Sequence, residues 1–287
     1  LGASSIRGWT ALTPEALAIQ AAIQKRGEAS LGLPGRVYHE YRVYENYGMV
    51  AQIEDVWGGS PLCLSRYAML FEDVPPERMW RLTGVEHVLI RTWELSEPSL
   101  LLAVFPQAED TTYFHRLAEP NPRAWLVNGV RFVDDAEALR LLTDDRFNLE
   151  TTALLPLEER ARFRDDERQT GPLASGGQNA IHLKRMAPNR LTVRVWSEHG
   201  GLLLISENWM PGWQALRCNL EGQVETPPVL RANLTFLGLR IPAGQWTIEL
   251  VYRPTSVQYG LLISGASLVV LMLVGLWHWC RGVAERQ

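Results

Sequence analysis

YGLLISGASLVVLMLVGLWHW, Tyr259 to Trp279, is a run of 21 residues without a single Asp, Glu, Lys or Arg. Between Arg253 and Arg281 His278 is the one side chain whose ordinary titration falls near neutral pH. Coiled as a helix, such a run rises about 32 Å, enough to cross a hydrocarbon core of roughly 30 Å. A charge at the middle of the span would cost about 2.5 to 3.5 kcal/mol on insertion scales, so the clean interval carries information. Tyr259 at one end and Trp277 and Trp279 at the other stand where interfacial aromatics collect. A core helix of a soluble domain would carry a polar face over this length, and this stretch has none.

The flanks set an expected orientation. Arg281 and Arg286 follow the span directly, and short positive tails stay in the cytoplasm. The expectation is a cell-membrane protein with one C-terminal span over 257–280, a cytoplasmic tail over 281–287 and a large extracytoplasmic body. The sequence opens on Leu1 with no secretory signal, so the chain reads as the C-terminal piece of a longer membrane protein with earlier spans. A net charge of -4 gives no reason to expect nucleic acid as a partner. The composition includes 11 Trp, residues suited to a folded core, a sugar-binding face or a membrane surface. Cys63, Cys218 and Cys280 show no metal spacing, and the one external disulfide open to them is Cys63–Cys218.

Upstream of the span two textures alternate. Residues 1–30 hold a helical segment: Thr13 and Pro14 are a cap and first turn, Leu12, Ala16, Ile19 and Ile23 recur on one face, and Gly27 is a stop. Residues 31–157 read as an α+β domain. Strands are expected in Arg36–Val50, Val85–Ile90, Leu100–Phe105, Thr112–Leu117 and Ala124–Val127, and a turn at Asn46–Gly48. Helices are expected in Pro61–Phe71, Glu77–Leu82 and Asp134–Asp144, the last acidic at its start. Glu158–Arg168 has nine charged residues in eleven and leads into TGPLASGGQN, so 158–178 reads as a linker. From 179 to 256 the period becomes two, as in Leu191, Val193 and Val195 or Trp246, Ile248 and Leu250, with turns between: a β-sandwich. The fold class is therefore α+β, a mixed domain followed by an all-β sandwich and one membrane helix.

The block ENWMPGWQALRCNLEG from Glu207, then RANLTFLGLRIPAGQWTIELVYRP and the span, resembles the C-terminal end of the YfhO-like bacterial membrane proteins. The matching positions are Trp209, Pro211, Gly212, Trp213, Ala215, Gly222, Ala232, Asn233, Phe236, Pro242, Ala243, Gly244, Tyr252, Pro254 and Gly260. Looser likeness extends upstream through Arg42-Val43, Tyr47-Gly48, Gly59-Ser60-Pro61-Leu62, Leu82–Val88 and Asn121–Ala124. Gly84 and His87 depart from the family's usual Asn and aromatic. The resemblance implies a relative of GT-C-type glycosyltransferases, which take sugar from a lipid-phosphate carrier at the outer membrane face. Their catalytic acid lies in early loops between N-terminal spans that this chain does not contain. What it implies here is an accessory external region with the bilayer and a lipid-linked sugar or cell-envelope glycan as partners. The rival reading is a tail-anchored carbohydrate-binding or adhesion module.

Motifs agree in pointing away from chemistry. No GxSxG, HExxH, P-loop or GxGxxG occurs, no catalytic residue or cofactor is expected, and the six histidines lack metal spacing. Glu54 and Asp55, adjacent on a strand, would face opposite ways and cannot act as a paired acid and base. Asp55 and Trp57 beside the Gly58-Gly59 turn, and Trp209 in the turn before Pro211, are the expected ligand-contacting residues. Trp213 is expected to begin a strand and pack the sandwich core. Asn233-Leu234-Thr235 fits a glycosylation sequon and reads as coincidence.

Overall fold

The computed structural model describes residues 12–27, 33–40, 42, 48, 51–57, 63–107, 110–163 and 178–284, with side chains described as far as Trp277. The strand read through Val43, the Asn46–Gly48 turn, the Gly58-Gly59 break, the start of the Pro61 helix and nearly all of the Gly-rich run after Thr170 lie outside those residues.

The first helix, α1 (Pro14–Gly27), begins as its sequence predicts, with the Thr13 hydroxyl taking the amide of Ala16 at 3.3 Å. Its Ala16 and Ile19 face packs on β1 (Arg36–Tyr38) and its neighbours. Two short helices follow, α2 (Ser65–Asp73) and α3 (Pro76–Thr83). The latter closes on Gly84, whose left-handed φ of 68° suits the helix C-terminus. Glycine suits this backbone, and a Cβ there would meet Arg123 at 2.9 Å.

Strands β2 (Val85–Ile90), β3 (Ser99–Pro106) and β4 (Thr111–Leu117) join β1 in a sheet of order β1-β2-β4-β3, parallel between β1 and β2 and otherwise antiparallel. Strand β2 is buried on both faces, its Glu86 and His87 included, because both are covered. Val85 and Val88 belong to the core under α2 and α3, and Leu89 to the core under α1. After β5 (Ala124–Val127) and β6 (Gly129–Val133), helix α4 (Asp135–Thr143) starts on Asp134, which accepts the Glu137 amide at 2.8 Å. Strand β7 (Thr152–Pro156) then runs parallel to β6.

The sandwich consists of β8 (Asn179–Ala187), β9 (Arg190–Ser197), β10 (Gly201–Asn208), β11 (Trp213–Asn219), β12 (Val224–Glu225), β13 (Leu230–Ala232), β14 (Phe236–Ile241) and β15 (Gly244–Tyr252). One sheet runs β12-β11-β15-β9-β8 and the other β13-β14-β10-β5. Leu191, Val193, Ile248 and Leu250 from the first meet Leu203, Ile205, Leu237 and Leu239 from the second. The sheets cross the boundary drawn at 157–158. β5, from the upstream region, pairs with β10 through Ala124↔Ile205 to Val127↔Leu202. Leu234 and Phe236, from the downstream region, sit in the core under α2 and α3. The physical reason lies in β10. Its Leu202 and Leu204 point away from the sandwich and are buried against Val127, Val130, Ala153, Leu155 and Phe163. A strand greasy on both sides requires a layer on each, and the upstream region supplies one.

The last helix, α5 (Thr255–Ala284), leaves β15 after only Arg253 and Pro254. Its stretch Thr255–Trp277 is long and apolar enough to span a membrane, with mean hydropathy 2.2 and none of it buried in the protein. The joint is stiff. Gly212 has φ 116°, and a Cβ there would stand 2.7 Å from Cα of Pro254. The Arg253 amide donates to the Gly212 carbonyl at 2.8 Å, and the rings of Trp213 and Tyr252 meet at 5.5 Å. The Pro-Gly-Trp turn is therefore the part against which the outgoing strand is seated.

Candidate functional site

Asp55 and Trp57 come together, and both are partly buried. Asp55 bridges to Val37 of β1, and its carboxylate lies 3.9 Å from Nε2 of His39 in a nearly closed environment. Burial pushes that carboxyl up to about 6, against the opposing pull of the Trp57 amide and the Arg36 charge. Burial likewise lowers the affinity of His39 for a proton. The Trp57 ring packs on Phe71 at 4.4 Å. Trp209, expected to be exposed in its turn, is instead half-buried on the sandwich core, and its indole N–H donates to the Val229 carbonyl at 3.2 Å. Its amphipathic ring is satisfied by the protein. Trp213 begins β11 and packs on that same core, as its place in the sequence predicts.

Glu54 faces away from Asp55 into a cluster that local sequence does not reveal. Oε1 of Glu207 accepts from Nη2 of Arg36 at 2.9 Å, from Nη2 of Arg185 at 2.7 Å and from Arg123. Glu54 takes Arg123 at 2.8 Å and Arg185 at 3.3 Å. Arg36 also donates to the Thr83 carbonyl at 2.8 Å and to Ser206. Burial pushes the Glu54 carboxyl up, but Arg123, Arg185 and Arg36 together outweigh it and hold it below the usual range. The cluster joins β1, β8, β10 and the segment before β5. With Arg36 and Arg123 almost closed to solvent, it acts as a joint between the two halves of the body.

Solvent reaches a different place. A cleft of about 740 Å³ opens between the ends of β10 and β14 and the loop joining β12 to β13. Arg162, Arg217, Arg240 and His199 line it; among the described lining residues Glu225 is the one carboxylate, and Arg162 pairs with Glu159 at 3.0 Å. Phe163, Leu202, Ile241 and the rings of Pro227, Pro228 and Pro242 supply its apolar surface. Arg217 lies over Trp246 at 4.7 Å, engages Glu225 and donates to the Arg240 carbonyl. Arg240 lies over Phe163 at 5.0 Å. A volume of this size falls within the range of small-molecule sites, about 300 to 1,000 Å³.

Sequence reading missed this cleft because its cations come from four separate segments. One signal was available: Arg217 follows Ala215 by two, and so occupies a core-facing position of β11, as its burial bears out. The free thiols of Cys63 and Cys218 leave the open disulfide unformed. The sequon is closed as well, since Asn233, Leu234 and Thr235 are all buried. Among the described residues no cluster of three or more His, Cys, Asp or Glu is placed to hold a metal.

Compared with family models, curated proteins and solved structures, the chain finds no match.

Proposed function

We propose that the chain is the external C-terminal region and anchor of a YfhO-like membrane protein. Its body stands outside the cytoplasm and positions a cell-envelope glycan, or braces a membrane core, for transfer of a lipid-linked sugar. The observation that carries this reading is the seam between sandwich and helix. A central strand of a closed soluble sheet passes within two residues into a helix whose apolar side chains, Leu261, Leu262, Ile263 and Leu271 among them, have no protein to cover them. Bare hydrocarbon on that scale is suited to lipid or to packing against other apolar helices, and its length matches a bilayer. The Pro-Gly-Trp and Tyr-x-Pro residues that carry the resemblance are the ones that form this seam.

A rival reading, a tail-anchored carbohydrate-binding or adhesion module, draws on the open cationic cleft. Both readings need the membrane, and the test begins there. In membranes from cells making the full chain, carbonate at high pH should leave the protein in the pellet. External protease should digest the body of intact cells while a tag after Gln287 survives. Extraction into the supernatant, or a digested tag beside a protected body, would overturn the orientation and the anchor. Many hydrophobic spans encoded upstream of Leu1 would support the first reading; a lone signal peptide there would support the rival.

A further inference from the structure

We infer that the cleft walled by Arg162, Arg217 and Arg240 is a binding site for an anionic saccharide, a sugar unit carrying a carboxylate or phosphate. The inference deepens the role proposed above by naming a ligand class and its seat, and it rests on that reading only for the compartment in which the sugar is met.

Three features converge. The first is the set of guanidiniums: Arg162, Arg217 and Arg240 line one cavity, Arg217 engaging Glu225 and Arg162 pairing with Glu159 at 3.0 Å. Guanidinium forks have five donors each and match carboxylate and phosphate oxygens, so a guanidinium already paired on one edge can still present N–H groups to a ligand. The second is the working example already present. Arg217 holds the carboxylate of Glu225 through both Nε and Nη2, so the cleft engages an anion in the resting protein. Glu225 lies on a strand of two residues with its side chain nearly half exposed, and an incoming anion can compete with it. The third is the wall. Pro227, Pro228, Pro242 and Ile241 offer rigid aliphatic surface, suited to the C–H face of a pyranose, and a free inorganic anion has no use for it.

Position separates a saccharide from the headgroups of the anchoring bilayer. Arg240, Ile241, Pro242 and His199 cluster at the Gly244 end of β15, which pairs with Ser197. The helix leaves from the Tyr252 end, where Trp213 pairs. Eight residues of strand separate the two ends, about 26 Å at 3.3 Å each. The rim of the cleft thus lies far along the sheet from the point where the chain enters α5.

The test uses the full chain in nanodiscs of phosphatidylcholine, read by calorimetry. The probes are tetragalacturonate, glucose 6-phosphate, maltotetraose and inorganic phosphate. At least one of the two anionic sugars should bind, more tightly than inorganic phosphate, and maltotetraose should not. Arg162→Gln with Arg240→Gln should weaken that binding tenfold or more, and Glu225→Gln should tighten it severalfold by removing the internal competitor. The Glu225→Gln arm keeps the proposal decidable if the double variant fails to fold. Equal binding of maltotetraose, failure of both anionic sugars, or indifference to Glu225→Gln would each overturn it. A second arm offers phosphatidylglycerol vesicles: recruitment that depends on Arg162 and Arg240 would assign the cleft to lipid headgroups and likewise sink the saccharide. None of these outcomes alters the anchor test, so the two readings fail separately.

Discussion

Replacing Glu207 by Gln should be the most damaging conservative change in the body of the protein. One oxygen of Glu207 accepts from Arg36, Arg123 and Arg185, and its side chain is only 14% exposed. Gln keeps the shape and one acceptor but removes the charge. Glu54 would then be the only carboxylate among three guanidiniums, two of them almost closed to solvent. Removing one partner from a buried ion pair costs about 3 to 5 kcal/mol, because the charges left behind stay desolvated. Here the loss should fall in the upper part of that range, since three donors lose one anion together. Thermal unfolding of the full chain in detergent, followed by near-UV circular dichroism, reads the change. Raising NaCl should change the loss little, because a buried pair is poorly screened. Adding Arg185→Gln, which removes the cation nearest solvent, should restore about 1 to 2 kcal/mol through coupling within the cluster. A loss below about 1 kcal/mol for Glu207→Gln, or strict additivity in the double variant, would refute the idea that this cluster joins the halves.

Two further outcomes follow from buried polar groups. Asp55 has its carboxyl raised from 3.8 to about 6, so the folded state favours the protonated form. Its contribution is therefore lost as pH rises between those two values, and Asp55→Asn should stabilise the protein by up to about 3 kcal/mol at pH 7.5 while changing little at pH 3.5. Melting curves at both pH values check this; equal or lower stability of the variant at pH 7.5 would contradict it. Asn233, fully buried, accepts the Leu154 amide through Oδ1 at 2.9 Å and sits at φ 44°. Asn233→Ala should cost about 1 to 3 kcal/mol by orphaning that amide, and Asn233→Gly should remain destabilised although it relieves the backbone; chemical denaturation of both variants decides.

Legibility in the sequence followed the range of the interaction. α1, α4, β2 and the sandwich strands were readable because caps and periodicity are local, written within ten residues of where they act. The apolar helix was readable for the same reason. The domain boundary was not, because the pairing of β5 with β10 joins Ala124 to Ile205, far apart in the chain. The clue was present in the unbroken run Leu202–Ile205, which alternation in a two-layer sandwich does not explain. Asp55, Trp57 and Trp209 were singled out by residue type beside turns, and type alone does not distinguish a side chain that meets solvent from one that packs. The Arg36–Glu207 and Arg162–Arg240 groupings were out of reach for a simpler reason. Their members share no segment, and only the three-dimensional path of the strands brings them within hydrogen-bonding distance or around one cavity.

The two-residue seam between β15 and α5 leaves the body almost no slack. Bilayer helices lean by about 20° on average, and a longer or shorter hydrocarbon core changes that lean. Were α5 to cross a bilayer, the close approach of Gly212 to Pro254 would carry such a lean into the sheet, as into a mast stepped on a deck. Over a strand of about 26 Å, a 20° swing carries the far tip sideways by about 9 Å. Lipid thickness would thereby set where the arginine-lined opening points, with no moving part inside the protein.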